Sequence, residues 1–111
     1  MNEYLFSYGT LQKNEVQLEL FGRLLSGVTD ILRGYKLSTI EIQDGNFLAK
    51  GEETSQLTVV ISDDKAARVE GMVFELSREE MLVADRYEPA EYIGVKIVLE
   101  SGKQAWIYLA A

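Results

Sequence analysis

The chain has 111 residues, of which 47% are hydrophobic, and it carries a formal net charge of −7 at pH 7. This length and apolar content fit one domain over residues 1–111 with a buried core. The 11 Lys and Arg residues are scattered singly along the sequence. We therefore expect no nucleic-acid partner, because binding to a phosphate backbone relies on clustered cations.

The apolar runs and the first residues of the chain indicate where in the cell the protein is expected. No run approaches the roughly 20 apolar residues that a membrane-spanning helix needs, so no membrane partner is expected. Glu3 and Glu15 interrupt the start of the chain, a pattern that does not fit a signal peptide. A cytoplasmic location is the default expectation, and the sequence leaves the oligomeric state open.

Two missing residue types narrow the chemistry. The sequence contains no cysteine and no histidine. This excludes disulfides, thiolate nucleophiles and Ser-His or Cys-His pairs, and it removes the commonest transition-metal ligand. No metal site is expected, and an enzyme built from these residues must move protons with Asp, Glu, Tyr or Lys.

The first half of the chain reads mainly as strands. Apolar alternation predicts a strand over residues 4–8, with enough apolar side chains for burial on both faces. A short helix is predicted over residues 14–21. Residues 23–42 are strand-like, and Gly27 and Gly34 indicate bends that curve a sheet.

A polar stretch follows at residues 43–56. It contains the turn signal Asp-Gly-Asn at residues 44–46, so we expect the most mobile loop of the chain here. Glu52 and Glu53 are expected to be solvated within that loop.

The second half alternates strand and helix signals. Strands are predicted at residues 57–61, 68–76, 92–99 and 104–109. Ser77 and Glu80 have the spacing of a capping box, and the helix they open is expected to end before Pro89. Because strands outnumber helices, the predicted fold class is α+β with a strongly curved or closed sheet.

The glycine loop, Tyr8-Gly9-Thr10-Leu11, follows the first strand directly. Without a Cβ atom, Gly9 allows a sharp turn and a close approach of a ligand to the main chain. Successive amide N–H groups in such a turn can converge on an anion, which points to a carboxylate or phosphate ligand. A plain structural turn is the alternative.

Glu88 is the candidate acid/base. It shares a helix face with Asp85 and Met81, so burial is expected to raise its pKa. The helix C-terminus and nearby Glu91 are expected to act in the same direction. A pKa near neutrality suits a general acid/base. The alternative is a solvated acid at a helix end, and Asp85 has its own structural alternatives in an ion pair or a bond to a backbone amide.

The glycine loop and the segment Leu-Val-Ala-Asp-Arg-Tyr-Glu at residues 82–88, followed by Tyr92, together resemble the gamma-glutamylcyclotransferase-like (AIG2-like) family. Residues 4–12, 71–76 and 105–108 are also similar to bacterial members, so the resemblance covers nearly the whole chain. It implies a small mixed β-barrel flanked by a few helices.

The same resemblance implies a function. Gly9, Thr10 and Leu11 would hold a substrate carboxylate, Glu88 would be the acid/base, and Tyr8 and Tyr108 would lie near the cavity. The implied enzyme is cofactor-independent and cyclises the gamma-glutamyl group of a small amide or dipeptide to 5-oxoproline, releasing an amine.

Two other functions compete with this interpretation. One is a non-catalytic domain of the same fold that binds a small carboxylate ligand or a protein partner. The other is a hydrolase that uses Asp85 with Glu88, which we disfavour because residues three apart on one helix do not flank a substrate well.

Overall fold

The computed structural model describes residues 2–111 of the chain. In this range the elements follow in the order β1 Asn2–Ser7, the 3-10 helix Thr10–Gln12, α1 Asn14–Phe21, β2 Gly27–Arg33, β3 Tyr35–Glu41, α2 Gly45–Leu48, β4 Ser55–Ile61, β5 Arg68–Ser77, α3 Arg78–Tyr87, β6 Tyr92–Val98 and β7 Gln104–Ala110. None of these helices is long and apolar enough to cross a membrane.

The strands form a five-stranded sheet in the order β2-β5-β1-β7-β6 and a separate two-stranded ribbon of β3 with β4. Neighbours are antiparallel except β1 and β7, which run parallel with Leu5 opposite Trp106. The predicted α+β class is confirmed. Within residues 2–111 the sheet and ribbon do not close into a continuous hydrogen-bonded barrel.

The ribbon is tied to the sheet at one end. The Ala110 amide of β7 donates to the Thr58 hydroxyl oxygen of β4 at 2.8 Å. The Tyr92 hydroxyl, at the start of β6, donates to the Leu57 carbonyl oxygen. These bonds join β4 of the ribbon to β6 and β7 of the sheet.

Strand β1 separates two hydrophobic clusters. Leu5 belongs to one and Phe6 to the other, and each is 1% exposed. Because successive side chains of a strand point to opposite faces, β1 is buried on both, as its composition predicted. The cluster around Leu5 contains Leu11, Tyr87 and Tyr108, which places the glycine loop and the end of α3 on the same side of the sheet.

The helix ends follow their sequence signals. In α3 the Ser77 amide donates to Glu80 Oε1 at 2.8 Å and the Glu80 amide donates to Ser77 Oγ at 3.1 Å, which confirms the capping box. Helix α1 ends at Gly22, and the break between β2 and β3 falls at Gly34, whose φ of 83° lies in the left-handed region that favours glycine.

The polar stretch at residues 43–56 differs from its prediction. It contains α2, whose first turn is capped by the Asp44 side chain accepting from the Asn46 amide at 3.0 Å. Phe47 on this helix is 2% exposed. A buried aromatic side chain anchors the stretch to the core, which a reading of its polar composition alone did not reveal.

Candidate functional site

A cavity of about 570 Å³ lies where the end of β1, the residues before β4 and the chain after α3 come together. Its lining includes all of the site residues predicted from the sequence, namely Tyr8, Gly9, Thr10, Leu11, Glu88 and Tyr108. Residues separated by up to 100 positions are thus brought to one concave surface. Concave sites of this size are typical of small-molecule binding.

The glycine loop presents main-chain donors to this cavity. The 3-10 turn is closed by the Gln12 amide donating to the Gly9 carbonyl at 3.1 Å and the Lys13 amide donating to the Thr10 carbonyl at 3.0 Å. The amides of Thr10 and Leu11 donate to no protein acceptor within residues 2–111, as is usual in the first turn of a helix. They remain available to an anionic group.

Gly9 leaves space beside the main chain of the loop. Its φ of −144° lies outside the left-handed region. A Cβ atom added at Gly9 would meet nothing within 4 Å. The absence of a side chain therefore leaves open cavity volume beside the main chain.

Glu88 is the first residue beyond α3. Its φ of −66° and ψ of 145° turn the chain out of the helix, while its amide still donates to the Ala84 carbonyl at 3.2 Å. The residue keeps a partly exposed surface towards the cavity. Pro89, which is buried and follows directly, disfavours helical continuation at Glu88 and so helps to set this turn.

The surroundings of Glu88 disfavour its charge. Burial raises the pKa of its carboxyl group to about 7, Asp85 and Glu52 add to the rise, and Lys50 opposes it. Glu91, which the sequence analysis expected to act in the same direction, is not among these causes, and its Oε2 accepts from the Gln43 amide at 2.6 Å. At neutral pH both protonation states of Glu88 are populated.

Three tyrosines, Tyr8, Tyr92 and Tyr108, also line the cavity. The Tyr8 hydroxyl donates to the Tyr108 carbonyl oxygen at 2.6 Å. Burial raises the pKa of both of these phenols, with Asp85 adding to the rise at Tyr108, and burial together with Glu88 raises the pKa of Tyr92 to about 12. These side chains are therefore neutral hydrogen-bonding groups at physiological pH.

Asp85 does not form the ion pair expected as one of its structural alternatives, in which Arg86 or Lys96 would be its partner. Within residues 2–111 the ion pairs are Arg23 with Glu80 and Arg33 with Glu100. The Asp85 carboxylate instead acts on Tyr108, where it adds to the rise of the phenol pKa that burial causes.

Tyr87 and Glu52 are site residues that the sequence analysis missed. The Tyr87 hydroxyl donates to Glu52 Oε1 at 2.9 Å and lies 3.4 Å from Thr10 Oγ1. Glu52 lines the cavity and is partly buried, so the expectation of a solvated side chain was wrong. No local signal marks this contact, because it joins segments 35 residues apart.

Comparison with known proteins gives the family. The model of the family described as gamma-glutamyl cyclotransferase, AIG2-like, matches residues 5–111. The chain belongs to this family. No curated protein matches the chain.

Solved structures share the fold. A structure of a gamma-glutamyl cyclotransferase is 20% identical with a TM-score of 0.71, and the match covers 100% of this chain and 68% of that one. A solution structure from Arabidopsis thaliana is 21% identical with a TM-score of 0.67, covering 99% and 62%. YkqA from Bacillus subtilis is 24% identical with a TM-score of 0.67, covering 99% and 36%. The chain thus spans less than two thirds of the Arabidopsis and Bacillus proteins.

Proposed function

We propose that this member of the family is an enzyme that cyclises the gamma-glutamyl group of a small amide or dipeptide to 5-oxoproline and releases the amine. The observation that carries the proposal is the shared cavity: Glu88, with its pKa near 7, lines the same space as the amides of the glycine loop. One end of the cavity suits a carboxylate, and another carries a group suited to proton transfer.

Substrate binding in this proposal begins at the glycine loop. The α-carboxylate of the gamma-glutamyl group accepts hydrogen bonds from the amides of Thr10 and Leu11, which have no protein acceptor among the described residues. Lys13 also lines the cavity, together with Glu15 and Glu19 of α1. Hydrogen bonds from main-chain amides to an ionised carboxylate are stronger than those between neutral groups.

The chemical step is intramolecular. The α-ammonium group loses a proton to Glu88, and the resulting amine attacks the γ-carbonyl carbon to form the five-membered ring. The bond from that carbon to the departing nitrogen then breaks. The ring nitrogen gives up two protons in total and the departing nitrogen gains two, so the products are 5-oxoproline and an ammonium ion.

Glu88 and the cavity shape divide the work of catalysis. A carboxyl group with a pKa near 7 accepts a proton and returns it at neutral pH, a contribution of typically 10²–10⁴-fold in rate. Holding the amine close to the carbonyl within one bound molecule supplies a larger part, because effective molarities for well-oriented intramolecular reactions are very high. Neither contribution calls for a metal or cofactor.

The competing function is a binding domain without turnover, which would use the same glycine loop to hold a carboxylate. A panel of gamma-glutamyl amines and dipeptides, assayed for 5-oxoproline by NMR, separates the two functions. We expect at least one compound to be cyclised, and its N-acetylated analogue to be inert because its nitrogen is no longer nucleophilic. Binding of several panel compounds without any 5-oxoproline would favour the binding domain.

A further inference from the structure

The segment that precedes β4 is fastened to the chain around Glu88. The Asp44 side chain accepts from the Ala90 amide at 2.9 Å, and the Gln43 amide donates to Glu91 Oε2 at 2.6 Å. We call residues 43–52 the clamp segment. Its contacts bracket the turn at Glu88 and Pro89, so the segment is placed to control that turn.

Lys50 makes the central contact of the clamp segment. Its Nζ donates to the Tyr87 carbonyl oxygen at 3.2 Å, in the peptide group that joins Tyr87 to Glu88. The same nitrogen lies 5.1 Å from the ring centroid of Tyr87 and 5.8 Å from that of Phe47. A cation between two ring faces and a carbonyl oxygen is held in place by cation–π attraction and a charge-assisted hydrogen bond.

Lys50 itself does not line the cavity. The charged groups that act on the Glu88 carboxyl are Lys50 and Glu52 from the clamp segment and Asp85 from α3. Glu88 also raises the pKa of four tyrosine hydroxyl groups, at the end of β1 (Tyr8), the end of α3 (Tyr87), the start of β6 (Tyr92) and in β7 (Tyr108). Lys50 is the cation among these groups, and its effect on the pKa of Glu88 opposes that of the Asp85 and Glu52 carboxylates.

We propose that Lys50 is a positioning residue of this site: its ammonium group holds the backbone turn that carries Glu88 into the cavity and supplies positive charge to the Glu88 carboxylate. The inference rests on the proposed function, in which Glu88 moves the protons. Without Lys50, burial and two carboxylates would act unopposed, and Glu88 would stay protonated at neutral pH. The lysine thereby keeps the ionised, proton-accepting form populated.

The test compares variants that separate the charge from the rest of the side chain. Lys50→Met removes charge and donor, Lys50→Gln keeps an N–H donor without the charge, and Lys50→Arg keeps both. Lys65→Met removes an exposed lysine in the turn before β5 and is the matched control. Carbon-detected NMR of side-chain carboxyl groups follows each titration, with the Glu88 signal assigned by its loss in Glu88→Gln.

The expected result is a rise of about one pH unit in the Glu88 titration midpoint of Lys50→Met, since removing a nearby cation destabilises a carboxylate. Lys50→Arg and Lys65→Met should match the unaltered protein. A Lys50→Met midpoint equal to that of the control overturns the proposal. If Lys50→Met does not fold, Lys50→Gln is judged by the same criterion.

The pH dependence of kcat/KM is a second measurement, and a purely structural role of Lys50 would not change it. The acidic limb of the kcat/KM profile should shift to higher pH in Lys50→Met by the same amount as the NMR midpoint, and the rate at alkaline pH should fall because the turn that carries Glu88 is no longer held. An acidic limb that does not shift contradicts the proposal. Because the NMR titration needs no turnover, a protein that never forms 5-oxoproline refutes the proposed function while leaving the Lys50 result separately readable.

Discussion

The Glu88 carboxyl group is held where its charge is penalised. Burial is the largest cause of its raised pKa of about 7, and Asp85 and Glu52 act in the same direction against Lys50. A carboxyl group in ordinary solution is almost wholly ionised at neutral pH and is a weak proton acceptor. The surroundings of Glu88 therefore allow its carboxyl group both to accept a proton and to donate one at neutral pH.

This penalty predicts a pH-dependent effect of Glu88→Gln on stability. The pKa of Glu88 lies at about 7 in the folded protein and near 4.5 when unperturbed, as in the unfolded chain. Between these values the folded state binds the extra proton, so stability falls as pH rises through this window. We expect Glu88→Gln to raise the free energy of unfolding at pH 8 by on the order of 2 kcal/mol and to change little at pH 4.

Denaturant unfolding at the two pH values measures this difference. Glu41→Gln, the same substitution at an exposed position on β3, is the matched control and should be neutral at both. A loss of stability in Glu88→Gln that is equal at pH 4 and pH 8 would contradict a charge-penalised carboxyl group, because it would indicate lost packing instead.

At the scale of elements, α1 stabilises the glycine loop through the buried side-chain amide of Gln17. Gln17 is 2% exposed. Its Nε2 donates to the Leu11 carbonyl oxygen at 2.8 Å, and its Oε1 accepts from the Leu25 amide at 2.9 Å. One side chain thus fixes both the loop that presents amides to the cavity and the segment that leads into β2.

Gln17→Leu is therefore expected to weaken both stability and substrate binding. It preserves approximate size but leaves the Leu11 carbonyl and the Leu25 amide without their partner, at a cost of roughly 2 kcal/mol. Because the loop would be freed, KM should rise more than kcat falls. Thermal unfolding and steady-state kinetics check this, with exposed Leu18→Ala on the same helix as the control. An unchanged KM would argue against a binding role for the loop.

The elements also indicate how far the sequence could predict this site. The capping box at Ser77 and Glu80 and the alternation in β1 depend on neighbouring residues, so they were readable. Glu88 and the glycine loop were identified jointly through a family resemblance. The contacts of Lys50, Glu52 and Tyr87 could not be predicted from the sequence, because they join segments that are distant along the chain. Lys50 and Glu52 also lie in a polar stretch whose composition is typical of a loop.

At the scale of the whole molecule, the cavity is lined by residues of the five-stranded sheet, among them Tyr92 and Tyr108, and by Ser55, Gln56 and Leu57 of the two-stranded ribbon. Composition and periodicity predicted the α+β class. They did not predict that β3 and β4 would pair only with each other, because which edges pair is set by long-range packing and not by local pattern. Hydrogen bonds from Tyr92 and Ala110 then join the sheet to the ribbon.

The central claim is that one carboxyl group of this fold drives a cyclisation. Its most direct test is the rate of 5-oxoproline formation by Glu88→Gln on a compound that the unaltered protein cyclises, with binding of that compound measured alongside. The account predicts a loss of at least 10²-fold in rate with binding retained, because glutamine keeps the shape but transfers no proton. Full activity in Glu88→Gln would contradict it.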